Sequence, residues 1–261
     1  MLTKSKRKLI RSLATRKGRD ETGLFLAEGP KLVCELCPHF HTREIIVSDS
    51  WAHDNEAYLQ SLFGSHDVMC DIVSDSDFQS ASLQPSPQGV IALFDIPEYD
   101  AEMCATHIPD SLHLALDDVQ DPGNLGTIVR LAAWFGVSDI WCSLATADVW
   151  APKAVQATMG GLSRVRVHYI NLYDMIRRLP PHTPRYATML DGLPIWKVPL
   201  SPNGLLVMGN EGRGISREVA GLCDRRLLVP TYPQDAVTTD SLNVGMATAI
   251  VLAEFRRRMY K

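Results

Sequence analysis

Asp121-Pro122-Gly123-Asn124-Leu125-Gly126-Thr127-Ile128-Val129-Arg130 follows the apolar run Leu112-His113-Leu114-Ala115-Leu116. The two segments read as a buried strand, a polar turn and a helix start, with Pro122 and Gly123 setting the turn and Asn124 placed to cap the helix. The same order recurs twice. Leu205-Leu206-Val207-Met208 leads into Gly209-Asn210-Glu211-Gly212-Arg213-Gly214, and Arg226-Leu227-Leu228-Val229 is followed by Ser241-Leu242-Asn243-Val244-Gly245. Near-continuous apolar strands alternating with helices predict a parallel sheet covered on both faces. In such a sheet the strand-to-helix turns gather along one edge, where ligands bind.

Working outward, further strands are expected at 139–142, 165–168 and 186–190. Helices are expected at 125–136, 152–160, 172–179, 216–223 and 242–259. A composition break at Ile96-Pro97-Glu98-Tyr99-Asp100 through His107-Ile108-Pro109-Asp110 reads as a linker, 99–110, between two α/β domains, 1–98 and 111–261. In the first, the runs Glu44-Ile45-Ile46-Val47 and Gly89-Val90-Ile91-Ala92-Leu93-Phe94 alternate with helical stretches around 4–16, 30–36 and 54–63.

The chain has 261 residues, 46% apolar and 21% charged, the balance of a globular protein with room for two domains. No apolar run reaches membrane-spanning length. A net charge of −4 argues against bulk attraction to nucleic acid, but the charge is uneven. Lys4 to Arg19 holds eight Lys or Arg and no acid, and the chain ends Arg256-Arg257-Arg258-Met259-Tyr260-Lys261. The basic N-terminal stretch fits a targeting peptide, a solvated helix face or a local RNA contact; its unbroken passage into Gly23-Leu24-Phe25-Leu26-Ala27 argues against cleavage. Six scattered cysteines suggest reduced thiols and a cytoplasmic location. Cys34 and Cys37 form a lone C-x-x-C near His39 and His41; with no second cysteine pair, packing is the better reading and no metal is expected.

Taken singly, Asn124 and Ser241 are ordinary helix caps and the 209–214 loop is an ordinary glycine-rich turn. Arg130 is less ordinary, because a charge inside an apolar helix is costly unless paired. The loop contains Glu211 and matches neither a P-loop nor G-x-G-x-x-G, so an anionic ligand is disfavoured and a cationic one tolerated.

In content and order the three segments resemble the motifs of the SpoU (TrmH) family of RNA 2′-O-methyltransferases. Gln156-Ala157-Thr158-Met159-Gly160-Gly161-Leu162-Ser163-Arg164-Val165-Arg166-Val167 and Ala187-Thr188-Met189-Leu190-Asp191-Gly192 resemble two further family segments. Lys17-Gly18-Arg19 and Phe25-Leu26-Ala27-Glu28-Gly29 resemble the ribosomal-protein-like substrate-binding domain of its ribosomal-RNA members. Periodicity alone points to an unknotted doubly wound sheet. The resemblance instead implies a C-terminal α/β methyltransferase domain with a trefoil knot, preceded by a small α/β RNA-binding domain, and a homodimer using S-adenosylmethionine. It implies catalytic roles for Asn124, Arg130, Glu211, Ser241 and Asn243, and cofactor contacts at Leu190, Gly209, Val229 and Leu242. Lys6, Arg7, Lys8, Arg11, Lys17 and Arg19 are expected to engage RNA phosphates. Arg130 is expected to hold a phosphate and stabilise a developing alkoxide rather than act as a base, since a guanidinium resists deprotonation.

There are departures. The family usually shows Val-Ser-Val-Ala after Ser-Leu-Asn, where this chain has Val244-Gly245-Met246-Ala247, and the approach at 231–240 is longer and more polar. The expected activity is methyl transfer to a ribose 2′-hydroxyl, with ribosomal RNA as substrate. The alternatives are a transfer-RNA methyltransferase and a non-catalytic RNA-binding or assembly factor.

Overall fold

The computed structural model describes residues 1–57, 59, 69–233 and 241–259. Two compact units emerge: Met1–Glu98 with Asp148–Ser163, and Tyr99–Ala147 with Arg164–Lys261.

The first unit is built on a four-stranded sheet of order β1-β4-β2-β3, where β1 is Leu24–Glu28, β2 Thr42–Ser48, β3 Met69–Val73 and β4 Val90–Asp95. The central β4 runs antiparallel to both neighbours, while β2 and β3 are parallel. Helices α1 (Lys4–Ser12), α2 (Arg16–Thr22), α3 (Pro30–Leu36), α4 (Asp49–Asp54) and α5 (Asp75–Ala81) surround it. Alternation along the strands sends Leu26, Ile46, Ile91 and Leu93 into one core with Ile10, Leu13 and Phe78. The alternate residues Phe25 and Phe94 meet on the other face, ring centroids 5.2 Å apart, with Phe40 and Trp150 against them. Both faces are therefore covered, which is why these strands carry unbroken apolar runs.

Trp150 explains a departure from the expected division of the chain. Sequence places Asp148–Ser163 within the second domain, but Trp150 fills the aromatic cluster and Asp148 pairs with the buried Arg19. The segment, with α8 at Pro152–Thr158, accordingly packs with the first unit.

The second unit contains a six-stranded sheet of order β10-β8-β9-β5-β6-β7, parallel throughout. Its strands are β5 (Leu112–Asp117), β6 (Asp139–Cys142), β7 (Arg166–Tyr169), β8 (Arg185–Pro194), β9 (Gly204–Gly209) and β10 (Arg225–Leu228). Its helices are α6 (Ala101–Ala105), α7 (Pro122–Trp134), α9 (Leu172–Arg178), α10 (Arg217–Ala220) and α11 (Val244–Arg257). The expected linker is not a free connector: it forms α6, and Cys104 and Ile108 are buried in the core of this unit. The structure also adds β1, β3 and α5, extends β8 to Pro194 and shortens the expected 216–223 helix to α10. No helix among the described residues is long and apolar enough to cross a membrane.

Candidate functional site

Strands β5 and β9 are adjacent, with Asp117 paired to Gly209, so the turns that follow them emerge side by side. In the first turn Asp121, not Asn124, is the N-cap of α7: its carboxylate accepts the Asn124 backbone N–H at 2.8 Å, and Pro122 occupies the first helical turn. The Asn124 side chain is thereby left for another task. Its Nδ2 donates to Glu211 Oε1 at 2.7 Å, and its Oδ1 accepts from Asn243 Nδ2 at 2.9 Å.

Asn243, rather than Ser241, caps α11. Its Oδ1 accepts the backbone N–H groups of Gly245 at 2.9 Å and Met246 at 3.2 Å. Three side chains from distant parts of the sequence thus form one hydrogen-bonded chain, running from the positive end of α11 through two amides to the Glu211 carboxylate. Ser241 joins at its margin, its hydroxyl 3.4 Å from the Glu211 backbone carbonyl.

Glu211 is held on a small hairpin. Asn210 and Gly214 exchange both backbone hydrogen bonds, at 3.0 and 2.9 Å, while Asn210 Oδ1 accepts from the N–H groups of Gly212 and Arg213. Gly209 is required by this closure: an added Cβ would lie 2.4 Å from Gly214 C and Ile215 N. Glycine at 209 therefore serves the hairpin's own backbone first. Gly245 is explained by packing of α7 on α11, since a Cβ there would lie 3.2 Å from Asn243 Oδ1 and 3.4 Å from the Thr127 methyl. Ser216 does not cap α10 with its side chain; its N–H donates instead to Asp117 Oδ2 at 2.8 Å.

Arg130 stands apart from this group. It is exposed, and no described residue forms an ion pair with it, so the burial cost expected from sequence does not arise. Six residues of helix separate it from Asn124, about 9 Å of rise and roughly 120° of rotation. It shares the solvent face of α7 with Trp134, which is 83% exposed. Met246 and Ile250 are exposed on α11, the helix packed beside α7.

The four expected cofactor contacts fall on neighbouring elements. Gly209 ends β9, Leu190 lies on the adjacent β8, Val229 directly follows β10 beside β8, and Leu242 precedes α11. Leu190 and Leu242 are 75% and 47% exposed. Exposed aliphatic side chains beside a glycine-closed hairpin suit a flat apolar group, and the Glu211 carboxylate suits a cation. Of the longer approach expected at 231–240, residues 234–240 lie outside the described residues.

The six basic residues expected to meet RNA divide into two sets. Lys6 is bound to Glu44 and to Asp71, Arg7 pairs with Asp77 at 2.8 Å, and Arg19 is 3% exposed, held by Asp148 and the Leu13 carbonyl. These three fasten the first unit together through ion pairs, with Arg19 buried and Lys6 and Arg7 half-buried. Lys8, Arg11 and Lys17 are exposed; Arg11 also reaches the Ser80 carbonyl, and Lys17 lies 3.7 Å from Glu21. With Lys4, Lys8 and Arg11 line one face of α1. The C-terminal arginines are likewise engaged: Arg256 donates to the Phe135 carbonyl, and Arg257 and Arg258 pair with Glu254, holding its pKa down at about 2.

Neither cysteine group makes a persuasive metal centre. Burial pushes the Cys37 thiol up to about 11, and His41 is committed to Asp95. Cys104, Asp139 and His168 cluster in the second unit, but Arg166 forks onto both Asp139 oxygens at 2.7 and 2.8 Å. A guanidinium already supplies the cation there. Burial would raise the Asp139 pKa, yet hydrogen bonds from His168, Arg166 and Ser138 hold it well below the carboxylate range.

Asp117, Asp118 and Asn210 bind the two turns together, a task that residue type alone does not signal. Their sequence signature is an acidic pair, Asp117-Asp118, ending an apolar strand.

The SpoU rRNA Methylase family matches over residues 111–253, and the MRM3-like substrate binding domain over residues 4–92. The 23S rRNA (guanosine(2553)-2'-O)-methyltransferase RlmP of Bacillus subtilis is 32% identical over 249 residues, spanning 94% of each chain. A TrmH-family structure from Porphyromonas gingivalis is 39% identical, with a TM-score of 0.85 and 99% of each chain covered. The AdoMet-bound rRNA methyltransferase of Sinorhizobium meliloti is 30% identical, with a TM-score of 0.85, covering 100% of this chain and 97% of that one.

Proposed function

The chain belongs to the SpoU rRNA Methylase family, and we propose that it moves a methyl group from S-adenosylmethionine to a ribose 2′-hydroxyl of ribosomal RNA through the Glu211–Asn124–Asn243 group. The observation that carries this reading is that hydrogen-bonded chain. It brings the three sequence segments to one place, and a protein that only bound RNA would have no need of it.

S-adenosylmethionine supplies an electrophilic methyl carbon on a sulfonium, so the protein's tasks are alignment and management of one proton and one developing charge. Leu190 and Leu242 offer apolar surface to the adenosyl part, with Gly209 and Val229 offering backbone. Asn124 and Asn243, each fixed at both ends of its amide, hold their positions against the ribose without reorganising. Glu211 ends the chain as its carboxylate, able to take the hydroxyl proton as the oxygen attacks. Arg130, exposed and without an ion-pair partner among the described residues, is left with the role of gripping an RNA phosphate.

The acceptor is placed in ribosomal RNA, as in the Bacillus subtilis relative, whose name specifies a guanosine. Lys4, Lys8 and Arg11 are the basic side chains of α1 presented for its phosphates. A homodimer through the exposed Trp134, Met246 and Ile250 face of α7 and α11 would cover that apolar surface. A trefoil-knotted C-terminal chain and a cytoplasmic location complete the reading. Gly192 of β8 is pressed against the Arg226–Leu227 backbone, and Arg258 donates to the Ile195 and Val198 carbonyls, so the end of α11 is tied to the segment after β8.

Calorimetric titration with S-adenosylmethionine tests the reading. Saturable binding, weakened by combined Asn124→Ala and Glu211→Gln substitution, is expected. A folded protein that takes up no cofactor, alone or with ribosomal RNA, contradicts it. Equilibrium sedimentation showing only monomer would remove the dimer.

A further inference from the structure

Asp118 follows β5 in a backbone conformation that side-chain-bearing residues avoid. Its φ is +63°, in the left-handed region, where most residues other than glycine are strained by about 1 kcal/mol. Every polar group of this residue is engaged. The backbone N–H donates to Ser143 Oγ at 2.9 Å, and Ser143 in turn meets the Thr146 hydroxyl at 3.1 Å. The backbone carbonyl accepts from Asn210 Nδ2 at 2.8 Å. One carboxylate oxygen accepts from Gln120 Nε2 at 2.9 Å, and the other from Arg213 Nη2.

These bonds join three loops of the second unit: the turn that leads to Asn124, the Ser143–Thr146 turn after β6, and the hairpin that carries Glu211. The hairpin is rigid within itself, because Asn210 binds Gly212, Arg213 and Gly214. Internal rigidity does not fix where the hairpin lies relative to Asn124. Beyond the pairing of β5 with β9 at its base, four side-chain hydrogen bonds do that: Asn124 with Glu211, Ser216 N–H with Asp117, and two that end on Asp118. The left-handed turn is what lets one residue aim both its carbonyl and its carboxylate at the hairpin.

We propose that Asp118 is a positioning residue for methyl transfer, its left-handed backbone and carboxylate setting the hairpin in the register that delivers Glu211 to Asn124. The proposal rests on the methyltransferase reading for its kinetic consequence, but its structural consequence is independent of any activity. Asp118 touches no reacting atom; it acts through Asn210 and Arg213.

The test compares wild type, Asp118→Gly and Asp118→Asn by amide hydrogen exchange, thermal unfolding and steady-state methylation of ribosomal RNA. Asp118→Gly is expected to keep its Tm, because relief of strain offsets removal of the two exposed bonds, to Gln120 and to Arg213. Its Gly212, Arg213 and Gly214 amides are expected to exchange at least about tenfold faster, and kcat to fall about tenfold with KM for RNA little changed. Asp118→Asn tolerates left-handed backbone and keeps an acceptor, so it should restore most of both losses. Unchanged exchange at 212–214 in Asp118→Gly overturns the proposal whether or not the protein proves to be a methyltransferase. A parallel fall in Tm, exchange protection across the whole unit and kcat, unrelieved by Asn, overturns it as well by making Asp118 merely structural.

Discussion

Asn124 Nδ2 and Glu211 Oε1 lie 2.7 Å apart although 87 residues separate them in sequence. The contact is charge-assisted, and Asn243 steadies it from behind by donating to Asn124 Oδ1. Asn124→Ala is expected to lower turnover about a hundredfold, the scale of losing an organised donor at a site of developing charge. Stability should change by no more than about 1 kcal/mol, because the site is only part-buried. Single-turnover methylation beside thermal unfolding checks both. A variant that loses activity only in proportion to its unfolded fraction would make the contact architectural.

Gly209→Ala forces a methyl group into the backbone of Gly214 and Ile215. Overpacking of this kind destabilises by about 1–3 kcal/mol. Tm should fall by several degrees, with cofactor binding lost alongside because the hairpin can no longer close. Retention of wild-type Tm would mean that the hairpin has another accessible conformation.

The basic residues of α1 should separate into two phenotypes. Combined Lys8→Ala and Arg11→Ala is expected to weaken RNA binding and flatten its salt dependence, by a slope of about 0.7 for each single-stranded phosphate no longer neutralised. Lys6→Ala should leave that slope alone and destabilise the first unit by about 1–3 kcal/mol, since it strands Glu44, which is buried. Fluorescence titrations across a salt series, paired with denaturant unfolding, distinguish them.

His113 predicts an acid limb of stability. Burial lowers its pKa from an ordinary 6.5 to about 4. The ring accepts from Trp141 Nε1 at 3.1 Å and meets the Ser111 hydroxyl at 2.8 Å, contacts that suit the neutral form. Because the folded-state pKa is the lower one, the unfolded chain binds the proton first as pH falls. The contribution is therefore complete above about pH 6.5 and is lost progressively toward pH 4, by roughly 3 kcal/mol at most. Unfolding free energy measured across that window should show a slope near one proton, and His113→Asn should remove most of it.

Strands β5 and β9 were legible because a parallel strand covered on both faces must be apolar along its whole length. The turns after them were legible because proline, glycine and cap-forming residues cluster there. What sequence could not resolve was which of several suitable side chains takes each task. Asp121 and Asn124 are both good caps, as are Ser241 and Asn243, and only the folded contacts assign the capping to Asp121 and Asn243. Lys6, Arg7 and Arg19 looked like ligand contacts because their partners Asp71, Asp77 and Asp148 lie 65, 70 and 129 residues away. The left-handed turn at Asp118 is compatible with its residue type but not announced by it, since its purpose is set by a hairpin about ninety residues later.

The most direct measurement is nucleoside analysis of ribosomal RNA after incubation with the protein and isotope-labelled S-adenosylmethionine. The account predicts one labelled nucleoside whose methyl group is on the ribose 2′-oxygen, formed by wild type and nearly absent with Asn124→Ala. Label on a base, or equal labelling by the Asn124→Ala protein, would contradict it.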